Sequence, residues 1–233
     1  MAKAAFTKGR CHLCGAEYTH AGMSKHIVTC APRYFAERPS AKGTVKPVFV
    51  LSIAGAPQSE YWMHIAAPGT ATLHQMDRFL REIWLECCGH LSQFIIDDKI
   101  YTIHPNTRRG RSTRTQLHEV LEDKMEFWHE YDMGNTTTLK LKVLATFTAQ
   151  LDKDDILLLA RNEPPERLCE QCGQPAQFVC TECLWKGLGW LCKQCAKKHE
   201  CGEDMLLPVV NSPRVGICGY TGGAEWDWEE EES

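Results

Sequence analysis

No stretch of this 233-residue sequence is apolar for long enough to cross a bilayer, and its first residues carry Lys, Cys and His where a secretory signal needs an apolar run. A secreted disulfide scaffold is missing too, because such chains are shorter and lack repeated C-x2-C pairs. Disorder is excluded by composition: 43% of residues are hydrophobic and seven are Trp. The expected compartment is the cytoplasm, with no membrane contact.

What the chain has in quantity is cysteine, thirteen in all. Cys169/Cys172, Cys180/Cys183 and Cys192/Cys195 are three C-x2-C pairs, followed by His199 and Cys201. Each C-x2-C is a tight knuckle that aims two thiolates at one metal. Only seven residues separate Cys172 from Cys180, too few for a ribbon, whereas nineteen separate Cys172 from Cys192 and fifteen separate Cys183 from His199. The spacing therefore predicts an interleaved pair of tetrahedral zinc sites over residues 166–203, similar to cross-brace modules of the MYND/B-box kind. Either Cys201 or Cys218 completes the second site. Cys201 is favoured, although one residue alone separates it from His199.

A third site is predicted at the N-terminus. Residues 1–30 contain C-x2-C-x11-H-x3-C, with Cys11 and Cys14 on a knuckle and His26 and Cys30 on one face of a short helix. The pattern resembles a ββα zinc finger with Cys as last ligand, its small core drawn from Tyr18 with Met23 or Ile27. The stretch before His26, where a DNA-reading finger carries its base contacts, offers His20, Ala21, Gly22, Met23, Ser24 and Lys25 without Arg, Asn or Gln. A structural or protein-binding finger is expected. About three zinc ions per chain follow, with Cys87 and Cys88 set aside because adjacent cysteines do not both serve an ordinary site.

Positive charge in bulk is also lacking. The formal charge is −4, and ligand deprotonation at three zinc sites moves it to about −8. General DNA binding is excluded, so any nucleic-acid contact needs a local patch. Two exist: the arm with Lys8, Arg10, Lys25 and Arg33, which continues into a basic linker over 31–46, and the loop carrying Arg108, Arg109, Arg111 and Arg114.

From Pro47 to about residue 160 the pattern is α+β: a central, mainly antiparallel sheet with one long amphipathic helix, flanked by the small zinc-binding modules. VFVLSIAG and YWMHIAA are predicted strands, and TLHQMDRFLREIWLECC has its apolar residues at helical spacing. LSQFII and KIYTI form a hairpin turning at Asp97-Asp98. MEFWHEYD pairs with TTTLKLKVLATFTAQ, whose Leu139, Leu141, Val143 and Ala145 share a face. After Gln150, LDKDDILLLARNEPPERL is expected to be a junction. Residues 204–233 are expected to be an extended segment, ending in acids at Glu225, Asp227 and Glu229 to Glu232.

The central residues resemble a known family. Thr72-Leu73-His74, Gly89-His90-Leu91 with Phe94, and Tyr131-Asp132 with Gly134 are similar to the plasmid pRiA4b ORF-three-like domain over Pro47 to Gln150. Members are often labelled transposon-passenger or resolvase-like. The resemblance implies the α+β fold and a mobile-element association, but lends no activity, and no recombinase residue set is present. The chain departs from the family pattern at Tyr61-Trp62-Met63-His64 and at Cys88-Gly89-His90.

Three functions remain open. The first is a non-catalytic zinc-binding interaction or adaptor protein with a protein partner, Trp185 and Trp190 being contact candidates although more simply core. The second is a nucleic-acid-binding protein using the basic arm and the Arg108–Arg114 loop. The third is an enzyme using His64, His74, His90, His104 and His129, with Asp132, Cys87 or Cys88, which would require at least two of these histidines to share a concave pocket. His90 is otherwise a helix C-terminal residue and Asp132 a turn residue. The sequence leaves the oligomeric state open.

Overall fold

The computed structural model describes residues 7–105 and 110–223; Lys3, Arg108, Arg109 and the acidic tail lie outside them. The chain divides into two compact units, one drawn from Met1–Arg78 and His90–Pro165, the other from Phe79–Gly89 and Glu166–Ser233.

In the first unit the chain runs through β1 (Lys8–Cys11), β2 (Glu17–Thr19), α1 (His20–Glu37), β3 (Thr44–Ala56), β4 (Trp62–Pro68) and the start of α2 (Leu73–Leu80). It continues with β5 (Ser92–Ile96), β6 (Lys99–Thr102), β7 (Gly110–Ser112), β8 (Glu126–Tyr131), β9 (Thr137–Leu151) and β10 (Leu157–Asn162). These strands form one ten-stranded sheet in the order β2-β1-β10-β4-β3-β9-β8-β5-β6-β7. Every pairing is antiparallel except β6 with β7. The fold class is α+β, a large mostly antiparallel sheet with few helices and small cysteine-rich modules.

Period-two patterning accounts for the central strands. Leu139, Leu141 and Val143 on β9 are buried, while Lys140 and Lys142 between them reach Glu126 at 2.7 and 2.9 Å across on β8. Asp97 and Asp98 both take positive φ, 48° and 58°, the two-residue turn that matches the twist of a tight hairpin between β5 and β6. The LLLARN run expected in a junction is β10, a strand between β1 and β4. Its continuous apolar character is that of a strand covered on both faces.

The helices differ more from expectation. The stretch from Ala31, expected to be linker, continues α1 to Glu37 despite Pro32 inside it, and strand resumes at Thr44. The reason is packing: Met23, Ile27, Cys30, Ala31 and Phe35 recur at helical spacing and are buried, with Phe35 5.5 Å from Phe147. That apolar stripe outweighs the hydrogen bond Pro32 cannot donate. Conversely, the predicted long helix after Thr70 is α helix only over Leu73–Leu80, then widens to a π turn over Arg81–Leu85.

The finger strand reaches the sheet through Gly9, which stands opposite Asn162 of β10. A Cβ at Gly9 would lie 2.1 Å from the Arg161 carbonyl oxygen and 2.7 Å from the Trp62 ring. Gly9→Ala is therefore expected to lower the denaturant midpoint, at a cost of about 1–3 kcal/mol from overpacking. A wild-type midpoint in the variant would show that β1 shifts freely.

In the second unit, the π turn is accompanied by β11 (Phe178–Cys180), α3 (Thr181–Leu184), β12 (Trp190–Leu191), α4 (Lys193–Ala196) and β13 (Leu206–Pro208). The three strands form a sheet in the order β12-β11-β13. Among the described residues no helix is long and apolar enough to cross a membrane.

Candidate metal centres

The finger centre is built by the β1–β2 turn and the first half of α1. Cys11 ends β1, Cys14 follows in the turn, and His26 and Cys30 are one helical turn apart on α1. Their four donor atoms lie within 4.8 Å of one another. Cys14 Sγ is 3.3 Å from His26 Nε2, and Cys11 Sγ is 4.0 Å from Cys30 Sγ. A tetrahedron with zinc bond lengths has edges of about 3.8 Å between sulfurs and about 3.6 Å from sulfur to nitrogen. The separations match those edges and are far too long for a disulfide, near 2.05 Å. Tyr18 differs from the expected core role: it is exposed and stacks on the His26 ring at 4.8 Å.

In the second unit the cysteine knuckles interleave. One group joins Cys169 and Cys172 to Cys192 and Cys195; the other joins Cys180 and Cys183 to His199 and Cys201. Cys172 and Cys192 sulfurs are 3.5 Å apart, Cys183 is 3.6 Å from Cys201, and Cys183 is 3.4 Å from His199 Nε2. Cys201 stands in this group, and Cys218 does not.

The electrostatics of these groups call for a cation. Burial raises the Cys169 thiol, but backbone N–H groups of Cys192, Gln171 and Cys172 outweigh it and bring the group down to about 6. Cys195 in the same group is pushed up to about 12 by burial and by the Cys172 and Cys169 side chains. Burial and the Cys11 thiol raise Cys30 to about 12 in the finger. Thiols packed this closely cannot all ionise alone, because each anion opposes the next. A dication removes the conflict, and soft thiolate and imidazole donors in tetrahedral array suit zinc.

Sequence reasoning missed a fourth group: Cys87, Cys88, His90 and Cys218. Cys87 and Cys88 are chain neighbours, a spacing that does not announce a shared site, but a bend after the π turn brings their sulfurs to 3.7 Å, and Cys88 lies 3.7 Å from Cys218. His90 follows two residues after Cys88 in the chain, which fixes its place beside that cysteine. The signal available in the sequence was Gly89 between Cys88 and His90, whose φ of 78° turns the chain back. The described residues thus hold four Cys/His groups fit for structural zinc.

Of the enzyme-reading candidates, His90 falls in the group with Cys87 and Cys88, and its Nε2 stands 3.5 Å from Asp132 Oδ2, while the other four histidines are dispersed. His64 and His129 are fully buried in separate pairs, His64 Nε2 with Ser24 Oγ and His129 Nε2 with Asp77 Oδ1, each at 2.8 Å. His74 and His104 are exposed. Asp132 accepts from the Gly134 and Asn135 backbone N–H groups at 3.0 and 3.2 Å, a turn role. A cleft of about 450 Å³ in the first unit is lined by residues including Tyr101, Arg111, His118 and Glu119, and none of the five histidines lines it.

Serine substitution at one knuckle cysteine per centre should remove one metal at a time. Cys14→Ser, Cys172→Ser and Cys183→Ser are each expected to lose a single zinc equivalent by elemental analysis. Loss of two equivalents in Cys172→Ser would mean that the interleaved centres fill only together.

No family model matches the chain, and no curated protein matches it. Among solved structures the chain is similar to a protein of unknown function, MM3350 from Methanosarcina mazei Go1. The identity is 16%, the match covers 56% of this chain and 76% of that one, and the TM-score is 0.43.

Proposed function

We propose that this is a non-catalytic, zinc-stabilised interaction protein whose cross-brace module presents a surface to a protein partner. Each cysteine-rich group supplies four protein donors, leaving no open position for a metal-bound water, the arrangement of structural rather than catalytic zinc. The observation that carries the reading is at the tip of the module. Between α3 and β12, Trp185 is 71% exposed and Leu188 63% exposed. A small domain that can bury few apolar side chains nevertheless leaves two large ones in water, and exposed aromatics are enriched at interface hot spots. Trp185 is thus not core; Trp190 is half-buried, with the Arg167 guanidinium 4.9 Å over its ring.

The nucleic-acid alternative has less support. Arg10 pairs with Glu17 at 3.8 Å, and Arg33 and Arg38 both reach Glu37, at 4.0 and 3.4 Å. Glu17 and Glu37 thereby offset two of the arm's positive charges locally. The resemblance to the pRiA4b ORF-three-like domain stays attached to this reading as a fold expectation without an activity.

The test is cross-linking in cells, comparing wild type with Trp185→Ser/Leu188→Ser. The double variant should keep its zinc content and circular dichroism while losing specific cross-linked proteins. Identical cross-links in both would overturn the reading, and so would binding to DNA or RNA that weakens steeply with salt in place of a protein partner.

A further inference from the structure

We propose that Cys87, Cys88, His90 and Cys218 form a fourth zinc site, the exchangeable one, whose metal clips the 212–220 segment onto the end of the π turn. The proposal rests on the zinc reading of the other three groups and extends it to residues outside any C-x2-C pair.

The first support is geometric. Cys88 stands 3.7 Å from each of Cys87 and Cys218, the same tetrahedral edge found in the other centres. Sulfurs that far apart are not disulfide-bonded.

The second support is what surrounds the group. Arg214, fully buried, donates from its guanidinium to Cys87 Sγ at 3.4 Å. A buried cation directed at a thiol favours the thiolate that a metal needs, the supporting role that outer partners play at metal sites. Arg214 belongs to the same segment as Cys218, so one stretch of chain brings both a ligand and the charge beside a second ligand.

The third support is the helix end. Where a helix stops, its last carbonyls lack N–H donors within the helix. Here Ser212 Oγ donates to the Trp84 carbonyl at 2.7 Å, and Tyr220 Oη donates to that of Ile83 at 3.4 Å. A Cβ at Gly223 would lie 2.2 Å from the Ile83 oxygen, so the chain passes against these carbonyls. The segment between them is held by short turns, Val215 to Ser212, Ile217 to Arg214 and Tyr220 to Ile217. Such turns are weak alone, and Cys218 is itself in the left-handed region at φ 49°. A metal on Cys218 fixes the segment where backbone preference does not.

Exchangeability follows from exposure and from the donor pattern. Each of the other three groups has at least one buried cysteine, while this group has none: Cys88 and Cys218 are exposed, Cys87 and His90 intermediate. In the knuckle centres, backbone N–H groups donate to sulfur, as those of Leu13 and Cys14 do to Cys11 and those of Glu182 and Cys183 do to Cys180. Adjacent cysteines cannot form that knuckle. A chelator reaches this metal first, and its loss releases a segment carrying Arg214 and Tyr220, both now buried.

The experiment uses the full-length zinc protein. Wild type should contain four zinc equivalents and yield one of them to a chromophoric chelator in a distinct fast phase, one per group identified here. Cys88→Ser and Cys218→Ser should contain three and lack that phase. After release of the first equivalent from the wild type, hydrogen exchange should rise in residues 212–220 while the knuckle segments stay protected. Three equivalents in the wild type, unchanged by either substitution, overturns the proposal while leaving the other centres standing. Release of all four in one phase overturns the exchangeability. A protein without zinc overturns this site together with the reading it rests on.

Discussion

Stripping zinc from the full-length protein at neutral pH is expected to unfold the 169–208 region while the ten-stranded sheet keeps its central pairings. The module's buried cluster consists of Cys169, Cys180, Leu191, Cys192 and Ala196, so three of its five members are metal ligands. Without metal these thiols add little burial, and Val179, Leu191 and Ala196 cannot by themselves offset the ordering of about forty residues. Structural zinc contributes on the order of 10 kcal/mol per site at neutral pH, more than a small domain's net stability. The sheet is different. Val50, Leu51, Ile53, Leu139, Leu141 and Val143 are all fully buried without help from a metal. The finger falls between the two cases: Met23, Ile27 and Phe35 pack in the same cluster as Val48 and Trp62, so α1 should loosen near His26 yet remain docked. Hydrogen exchange with and without a strong chelator measures this directly. Protected amides in β11 and β12 of the metal-free protein would show that zinc is dispensable for the module.

That contrast explains what was legible in the sequence. Knuckle cysteines are read easily because a metal site compresses its requirement into short, fixed spacings. The nineteen- and fifteen-residue intervals that pair Cys172 with Cys192 and Cys183 with His199 leave little freedom. Central strands are read from alternation, as on β9, because a face that packs and a face that meets water impose period two. The fourth group had no such short-range imprint. Cys218 lies 130 positions from Cys88, and only the folding of the 212–220 segment onto the π turn brings them together.

The helices show the opposite weakness. Pro32 and the polar residues around it argue locally for an end to α1, but the cost of one missing hydrogen bond is small beside the burial of Ala31 and Phe35. The π turn at Arg81–Leu85 was equally hidden. Its apolar residues Ile83 and Trp84 keep helical spacing, and the widening becomes visible only where Ser212 and Tyr220 take up the carbonyls it leaves. Long-range partners, absent from any window of sequence, decided both cases.

Acid is expected to destabilise the protein through His64 in a way that His64→Gln abolishes. Two histidine–serine pairs tie α1 to the sheet: His20 Nε2 to Ser52 Oγ on β3, and Ser24 Oγ to His64 Nε2 on β4, both at 2.8 Å. The Ser24 hydroxyl also donates to the His20 carbonyl at 3.0 Å, so the assignment that satisfies both contacts has His64 donating from Nε2. His64 Nδ1 is buried without a hydrogen-bond partner. Protonation would place an N–H and a charge there, against the Trp62 ring 5.5 Å away and beside His20. Burial above all, and then His20, hold His64 at about 3, below the ordinary value of 6.5. Above pH 6.5 neither folded nor unfolded chain binds the proton, and stability is independent of this group. Below it the unfolded chain protonates while the folded one does not, so stability falls by about 1.4 kcal/mol per pH unit down to about pH 3. Between pH 7.5 and pH 5 the wild type should therefore lose about 2 kcal/mol more than His64→Gln, whose amide can still donate to Ser24. Zinc ligands titrate in both proteins and cancel in the difference. The measurement is denaturant unfolding of the two at each pH, and parallel pH profiles would show that His64 meets acid without resistance, its pairing with Ser24 then lending α1 no acid-sensitive hold on the sheet.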